Sequence, residues 1–190
     1  MTRRQVRSVL TAGLLLAAAL VAALLAPAQR AALTTTGTIT RVLDGDTIEV
    51  AFGGGEHKVR LIGVDTPEVS PGPKLERDAR RLRRDAQTIV ALGRKASQFT
   101  RSLCLGKRCR LAYDPANAHR GHRDRYGRLL AYVYLATDHG ELFLNAEIIR
   151  AGYGRAMRRY PYDPVLAEEF GRLERQARRA RRGLWAEGAF

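Results

Sequence analysis

The stretch that most constrains what this chain can fold into runs from Asp44 to Glu68. Two β-prone runs, Thr47 to Phe52 and Lys58 to Val64, flank Gly53-Gly54-Gly55-Glu56, a sequence that tolerates the positive φ of a tight turn. The pattern predicts an antiparallel hairpin. With its turn centred at Gly54 and Gly55, Asp46 stands opposite Gly63 and Asp44 opposite Asp65. Cross-strand neighbours lie roughly 4.5–5.5 Å apart, so Asp44, Asp46 and Asp65 crowd one open end. Like charges that close are unfavourable unless a cation or proton sits among them. Hard oxygen donors without His or Cys select calcium or magnesium. Taken alone, either half of the stretch reads first as an acidic turn, since Asp and Gly are ordinary turn residues.

Composition matters here for its charge. The chain has 190 residues, enough for one domain with a modest core, and a formal net charge of +14 carried mostly by arginine. That charge suggests a polyanionic partner, nucleic acid before an anionic membrane surface. Residues 1–28 hold Arg3, Arg4 and Arg7 and no acid, then the apolar run Val9 to Ala26, then the small-residue site Ala26-Pro27-Ala28. The expectation is export (secreted, periplasmic or cell-surface) with cleavage near Ala28. The run also reaches the ~18 residues of a membrane span, so a retained anchor, with membrane association through residues 9–26, is the alternative. No cysteine follows the apolar run, which argues against a lipid-modified N-terminus. Residues 29–36 read as a threonine-rich linker, 37–186 as the folded domain and 187–190 as a tail.

Within that domain Gly37 to Leu43 reads as the first strand, and the hairpin ends at Pro67. Lys74 to Val90 is helix-compatible and crowded with arginines, with Leu75, Ala79, Leu82, Ala86 and Ile89 at helical spacing. A surface helix with a solvated face is the first reading, a basic flap over the acidic site the second. Gly93 to Leu105 forms a further helix that turns Leu92, Ala96, Phe99 and Leu103 toward a core. Lys107 to Tyr113 and Leu129 to Leu135 are strands, and Leu142 to Ala151 and Val165 to Arg182 are helices. Cys104 and Cys109 are an even pair, read either as a disulfide or as two buried thiols. The fold class is α+β, mainly a β barrel. Its order, βββαββαα, fits a five-stranded Greek-key OB-fold barrel with about three helices, plus the extra charged helix after strand 3.

At this point the motifs resemble the staphylococcal nuclease (thermonuclease) family. Asp44-Gly45-Asp46-Thr47, then Arg60 through Glu68, then Asp124 through Arg128 occur in the family's order, and Leu142 to Gly152 and Arg182-Gly183-Leu184-Trp185 resemble its C-terminal half. The resemblance implies a calcium-dependent phosphodiesterase that acts on single- and double-stranded DNA and on RNA, cleaves the 5′ P–O bond and leaves 3′-phosphate ends. It implies Asp46 and Asp65 as carboxylate ligands of Ca2+, the Thr66 carbonyl as a third ligand, and Asp44 in the outer shell. It makes Glu68 the residue that orients or deprotonates the attacking water, and Arg60 and Arg128 the grip on the scissile phosphate. Tyr126, Arg125 and Tyr160 would contact the rest of the substrate, with Tyr162 a second candidate in the 153–163 segment. A monomer is expected.

These residue types suit the reaction. A phosphodiester gains negative charge at the transition state, and a divalent cation with two planar guanidiniums offsets it as it develops. Strict alternation, however, puts Arg60 and Asp65 on opposite faces of one strand. A bend or bulge between them, at Gly63, is therefore expected. Two other readings compete: a non-catalytic OB-fold nucleic-acid-binding module, and a membrane-anchored surface protein whose basic face binds a partner. Arg60, Glu68 and Arg128 standing together with Asp46 and Asp65 argue against the first.

Overall fold

The computed structural model describes residues 33–190. The targeting segment expected at residues 1–28 lies outside the described residues. Among the described residues, eight strands and four α-helices follow one another. They are β1 (Thr34–Asp44), β2 (Thr47–Phe52), β3 (Gly55–Leu61), β4 (Val64–Asp65), α1 (Pro73–Leu82), α2 (Ala86–Cys104), β5 (Arg108–Ala112), β6 (Leu129–Thr137), β7 (Gly140–Phe143), α3 (Leu144–Arg150), β8 (Arg155–Ala156) and α4 (Pro164–Arg179). Strands run in the order β3-β2-β1-β5-β6-β7, and parallel pairing of β3 with β6 closes the first five into a barrel. This is the α+β OB-fold architecture that the element order predicts.

Inward-facing Ile39, Ile48, Val50, Val59, Leu111, Ala131 and Val133 are buried and fill the barrel. The turn between β2 and β3 sits at Gly53 and Gly54, with φ of 57° and 80°, one position earlier than expected. Its register pairs Thr47 with Arg60, and the Leu61 N–H donates to the Asp46 carbonyl. Asp46 therefore faces Leu61 rather than Gly63. A slip of two residues keeps every side chain on its own face, so the carboxylates still gather at this end.

The expected break is present. β3 stops at Leu61, Gly63 has φ of 80°, and β4 resumes at Val64 against β8. A Cβ on Gly63 would also lie 2.5 Å from the Phe170 ring, so both the backbone and the packing call for glycine. The break frees the Ile62 carbonyl, which accepts a hydrogen bond from buried Asn145 Nδ2 at 2.9 Å. Asn145 Oδ1 in turn accepts from the Val133 N–H at 2.9 Å, so one side chain ties the bend to β6.

The charged segment after β4 departs from expectation. It is not one helix to Val90. α1 ends at Leu82, Arg83 takes a left-handed conformation, and Asp85 caps a new helix by accepting from the Thr88 N–H. α2 then runs unbroken to Cys104, so its buried face is Ile89, Leu92, Gly93, Ala96, Thr100 and Cys104. Phe99 is only half-buried and stacks on Tyr153 instead. At the ends, Thr34 to Thr36, placed in a linker by composition, already run in β1. Ala189 packs with Leu92, Ala96 and Leu184, so the residues read as a tail dock on α2. Cys104 and Cys109 are free buried thiols. Burial pushes the Cys104 thiol up to about 12, away from reactive thiolate.

Candidate active site

Asp46 is the innermost carboxylate, 3% exposed. Its Oδ2 accepts from the Thr66 N–H at 3.0 Å, from Thr66 Oγ1 at 3.2 Å and from Arg60 Nη2 at 2.9 Å, and its Oδ1 from Thr47 Oγ1 at 3.1 Å. Burial opposes its ionisation, but Arg60 and Lys74 outweigh that cost and hold it below the usual carboxylate range. Asp44 lies one step farther out, its Oδ1 accepting from the Asp46 N–H at 3.0 Å. Burial first, then the neighbouring Asp46 charge, push the Asp44 carboxyl up to about 7.

Arg60, 5% exposed, is locked in place. Its Nη1 donates to the Asp46 carbonyl at 3.2 Å and the Leu61 carbonyl at 3.1 Å, while Nη2 also stands 3.9 Å from Asp65 Oδ1. The bend at Gly63 is what lets one guanidinium face both aspartates. Asp65 is flanked on its other side by Arg155, whose Nε and Nη2 lie 2.9 and 2.8 Å from Oδ2. The β4–β8 pairing of Asp65 with Arg155 sets that contact.

Glu68 follows directly. Its Oε1 accepts from the Val69 N–H at 3.0 Å, which leaves Oε2 toward the site. The backbone here rests on α2, close enough that a Cβ on Gly93 would lie 2.7 Å from the Glu68 carbonyl oxygen. One cation stands among these groups. Lys74 Nζ is 2.7 Å from the Thr66 carbonyl, 3.3 Å from Asp65 Oδ1 and 3.8 Å from Glu68 Oε2. Burial disfavours its charge, yet Asp46, Asp65 and Glu68 together raise its pKa above the ordinary lysine value.

The second arginine comes from across the barrel. Parallel pairing of Arg60 with Leu130 brings the start of β6 beside β3, and Arg128 just before it reaches Thr47 Oγ1 at 3.3 Å through Nη1. Asp124 organises the loop, and Tyr160 OH also donates to its Oδ2 at 3.4 Å. Asp124 Oδ1 accepts from the backbone N–H groups of Tyr126 and Arg128, and its Oδ2 meets Arg128 Nε at 2.8 Å and Nη2 at 2.7 Å. Tyr126 is 64% exposed, with Arg125 and Arg128 guanidiniums 4.7 and 5.3 Å from its ring centre.

These groups line one cavity of about 490 Å³, which takes in Asp44, Asp46, Arg60, Asp65, Glu68 and Arg128. Arg125, Tyr126 and Tyr160 line it too, so each substrate candidate except Tyr162 reaches it. Tyr162 packs on Phe170 at 5.9 Å between ring centres and belongs to the core. Among the described residues no three His, Cys, Asp or Glu side chains are arranged to hold an ion by themselves. The donors nevertheless fit a hard divalent cation when the Thr66 carbonyl is included, because oxygens from Asp65, Thr66 and Glu68 already converge on a cation, the Lys74 ammonium.

Two site residues escape sequence reasoning. Arg155 meets Asp65 only through a two-residue tertiary pairing, and nothing local announces it. Lys74 had a faint signal: it is the only lysine in a run from Lys74 to Val90 that holds Arg77, Arg80, Arg81, Arg83 and Arg84. The solvated-face reading suits Arg80, Arg83 and Arg84, which are exposed, while Lys74 and Arg77 face the cavity.

Comparison with known proteins finds relatives across most of the chain. Residues 58–187 match the family model described as staphylococcal nuclease homologue. The chain is 31% identical over 153 residues to an uncharacterized protein of Methanocaldococcus jannaschii, covering 78% of this chain and 70% of the relative. It is 34% identical over 150 residues to a thermonuclease of Staphylococcus intermedius, covering 77% and 74%. It is also 34% identical over 151 residues to an uncharacterized endonuclease of Escherichia coli, covering 80% and 77%.

Proposed function

Since the chain belongs to the staphylococcal nuclease family, we propose that it is a nuclease that uses calcium to hydrolyse DNA and RNA, cutting the 5′ P–O bond and leaving 3′-phosphate ends. Nuclease activity follows from the family and from relatives named as nucleases. The calcium and the bond cut are the further reading. One observation supports the ion most: oxygens from Asp65, Thr66 and Glu68 meet at a single cation position, in a cavity that Arg60 and Arg128 also line.

In this reading Asp46, Asp65 and the Thr66 carbonyl hold the ion, with Asp44 behind them. When bound, the ion supplies positive charge against the phosphate oxygens. Arg60 donates toward the scissile phosphate from a fixed position, because two carbonyls and Asp46 set its plane. Arg128 comes from the loop before β6 and lines the same cavity. Both are already paired with carboxylates, so phosphate must share or exchange those partners, and the bidentate fork suits that exchange better than an ammonium does. Glu68, anchored through one oxygen, directs its other oxygen at a water and takes its proton. Tyr126, Arg125 and Tyr160 line the path of the flanking nucleotides. We place the site of action outside the cytoplasm, on the basic start and apolar run of residues 1–28.

The test is purified protein incubated with DNA and with RNA, in calcium and then in chelator, with product ends assayed for polymerase extension before and after phosphatase treatment. Calcium-dependent cleavage giving ends extendable only after phosphatase is expected. Binding without cleavage in calcium would instead make the chain a non-catalytic OB-fold module.

A further inference from the structure

The cation at the focus of the site belongs to the protein itself. Lys74 sits in the first turn of α1, directly after Pro71-Gly72-Pro73, and its Nζ has three oxygen neighbours: the Thr66 carbonyl, Asp65 Oδ1 and Glu68 Oε2. Each is a group that the reading above gives to the metal or to the attacking water. An ammonium among Asp65, Glu68 and the buried Asp46 offsets charges that would otherwise repel one another. A divalent cation seeking the same oxygens would stand within a few ångströms of that ammonium, and two like charges at that distance in a buried site are strongly unfavourable.

We propose that Lys74 is a tethered counter-ion that occupies the divalent-cation position in the metal-free protein and has to leave for the metal to bind. The proposal rests on the metal site read above and adds to it a residue of this chain that competes with the ion. Room for the exchange is visible. The lysine side chain is 28% exposed and lines the cavity of about 490 Å³, so its flexible stem can carry Nζ outward without unfolding α1. The other cations differ in kind. Arg60 is fixed by the Asp46 and Leu61 carbonyls, and Arg155 holds Oδ2 of Asp65, so neither is bonded to the Thr66 carbonyl as Lys74 is. Displacement of Lys74 taxes apparent metal affinity by the fraction of molecules in which the ammonium has left. The same ammonium stabilises the fold when no metal is present.

Calcium binding to the full chain, measured by calorimetry in wild type, Lys74→Met and Lys74→Arg, tests this without any nuclease assay. Lys74→Met keeps the stem length and removes the charge. It should bind calcium roughly tenfold more tightly than wild type, equivalent to ~1.4 kcal/mol. Its metal-free melting temperature should fall while its calcium-loaded one stays at the wild-type value. Lys74→Arg, which keeps a cation, should show no such tightening. Equal or weaker calcium binding by Lys74→Met overturns the proposal. If wild type and Lys74→Met bind calcium equally, only the competitor fails; if neither binds calcium, the metal reading of the site fails with it.

Discussion

Arg60 and Arg128 reach one cavity from regions built on different principles. Arg60 lies within β3, 5% exposed, with its guanidinium held by the Asp46 and Leu61 carbonyls and by the Asp46 carboxylate. Arg128 lies in a loop, its side chain 22% exposed, and pairs with an aspartate of the same turn. Their counter-ions differ more than they do. Asp46 belongs to a cluster with Asp44 and Asp65 whose charge is offset by Arg60, Lys74 and Arg155. Asp124 keeps two backbone N–H donors, those of Tyr126 and Arg128, whatever side chain stands at 128. Equivalent chemistry toward a phosphate therefore comes with unequal structural cost: the barrel side integrates function into its charge balance, and the loop side keeps function separable.

The largest expected effect tests that asymmetry at its strongest point. Arg60→Ala should lower kcat by about 10³-fold, the upper end for one lost charge-stabilising donor. It should also destabilise the metal-free protein by roughly 3–5 kcal/mol, because it leaves buried Asp46 without its partner. Urea unfolding in chelator, beside turnover in calcium, measures both. A large loss of activity with unchanged stability would show that the cluster tolerates the missing charge, and the contrast between the two regions would collapse. From sequence alone the fold is expected to survive this change; burial of the pair is what adds the stability cost.

How much of this was legible beforehand follows from which signals are local. The pairing of an Asp-rich turn with a distant Arg60-to-Glu68 stretch, and the break at Gly63, came from alternation and from glycine's freedom at positive φ. The hairpin register did not, because consecutive glycines at 53, 54 and 55 leave the turn centre undetermined and a slip of two residues preserves every face. The break between α1 and α2 was hidden because helical spacing continues through it. Only the left-handed Arg83 and the Asp85 cap mark the boundary. Arg155 was unreadable in principle, since its relevance arises from a two-residue pairing across 90 positions of sequence.

On the loop side, Arg128→Ala should cost about 10²-fold in turnover. Its stability change should stay well below that of Arg60→Ala, because the buried Asp124 carboxylate keeps two backbone N–H donors. A stability loss matching that of Arg60→Ala would mean those donors do not suffice. A smaller effect is expected next door. Tyr126→Ala removes an exposed ring that can stack on a base, and such contacts are worth ~1–3 kcal/mol. The loss should appear in KM for single-stranded substrate, about tenfold, with kcat nearly unchanged. A fall in kcat instead would place Tyr126 among the groups that act on the phosphate.

The finest distinction between the two regions is the direction in which each responds to pH in the metal-free protein. Burial disfavours the charged form of Asp124, but Arg128 and the backbone donors outweigh it and depress its pKa. A depressed carboxyl gives stability that is present above its unfolded value near 4 and is lost as pH falls through the folded one. Asp44 is the reverse case. Its carboxyl is pushed up to about 7, so its contribution is complete below about 4 and is lost as pH rises through about 7. Asp124→Asn should therefore be less stable than wild type by about 1–2 kcal/mol near pH 7, with the gap closing toward pH ~2 as wild-type Asp124 protonates. Asp44→Asn should gain on wild type as pH climbs from about 5 to 8. Denaturation curves in chelator from about pH 2 to 8 read both. Parallel pH profiles for the two variants would show that hairpin and loop titrate as one network, in place of the opposed pair that their surroundings require.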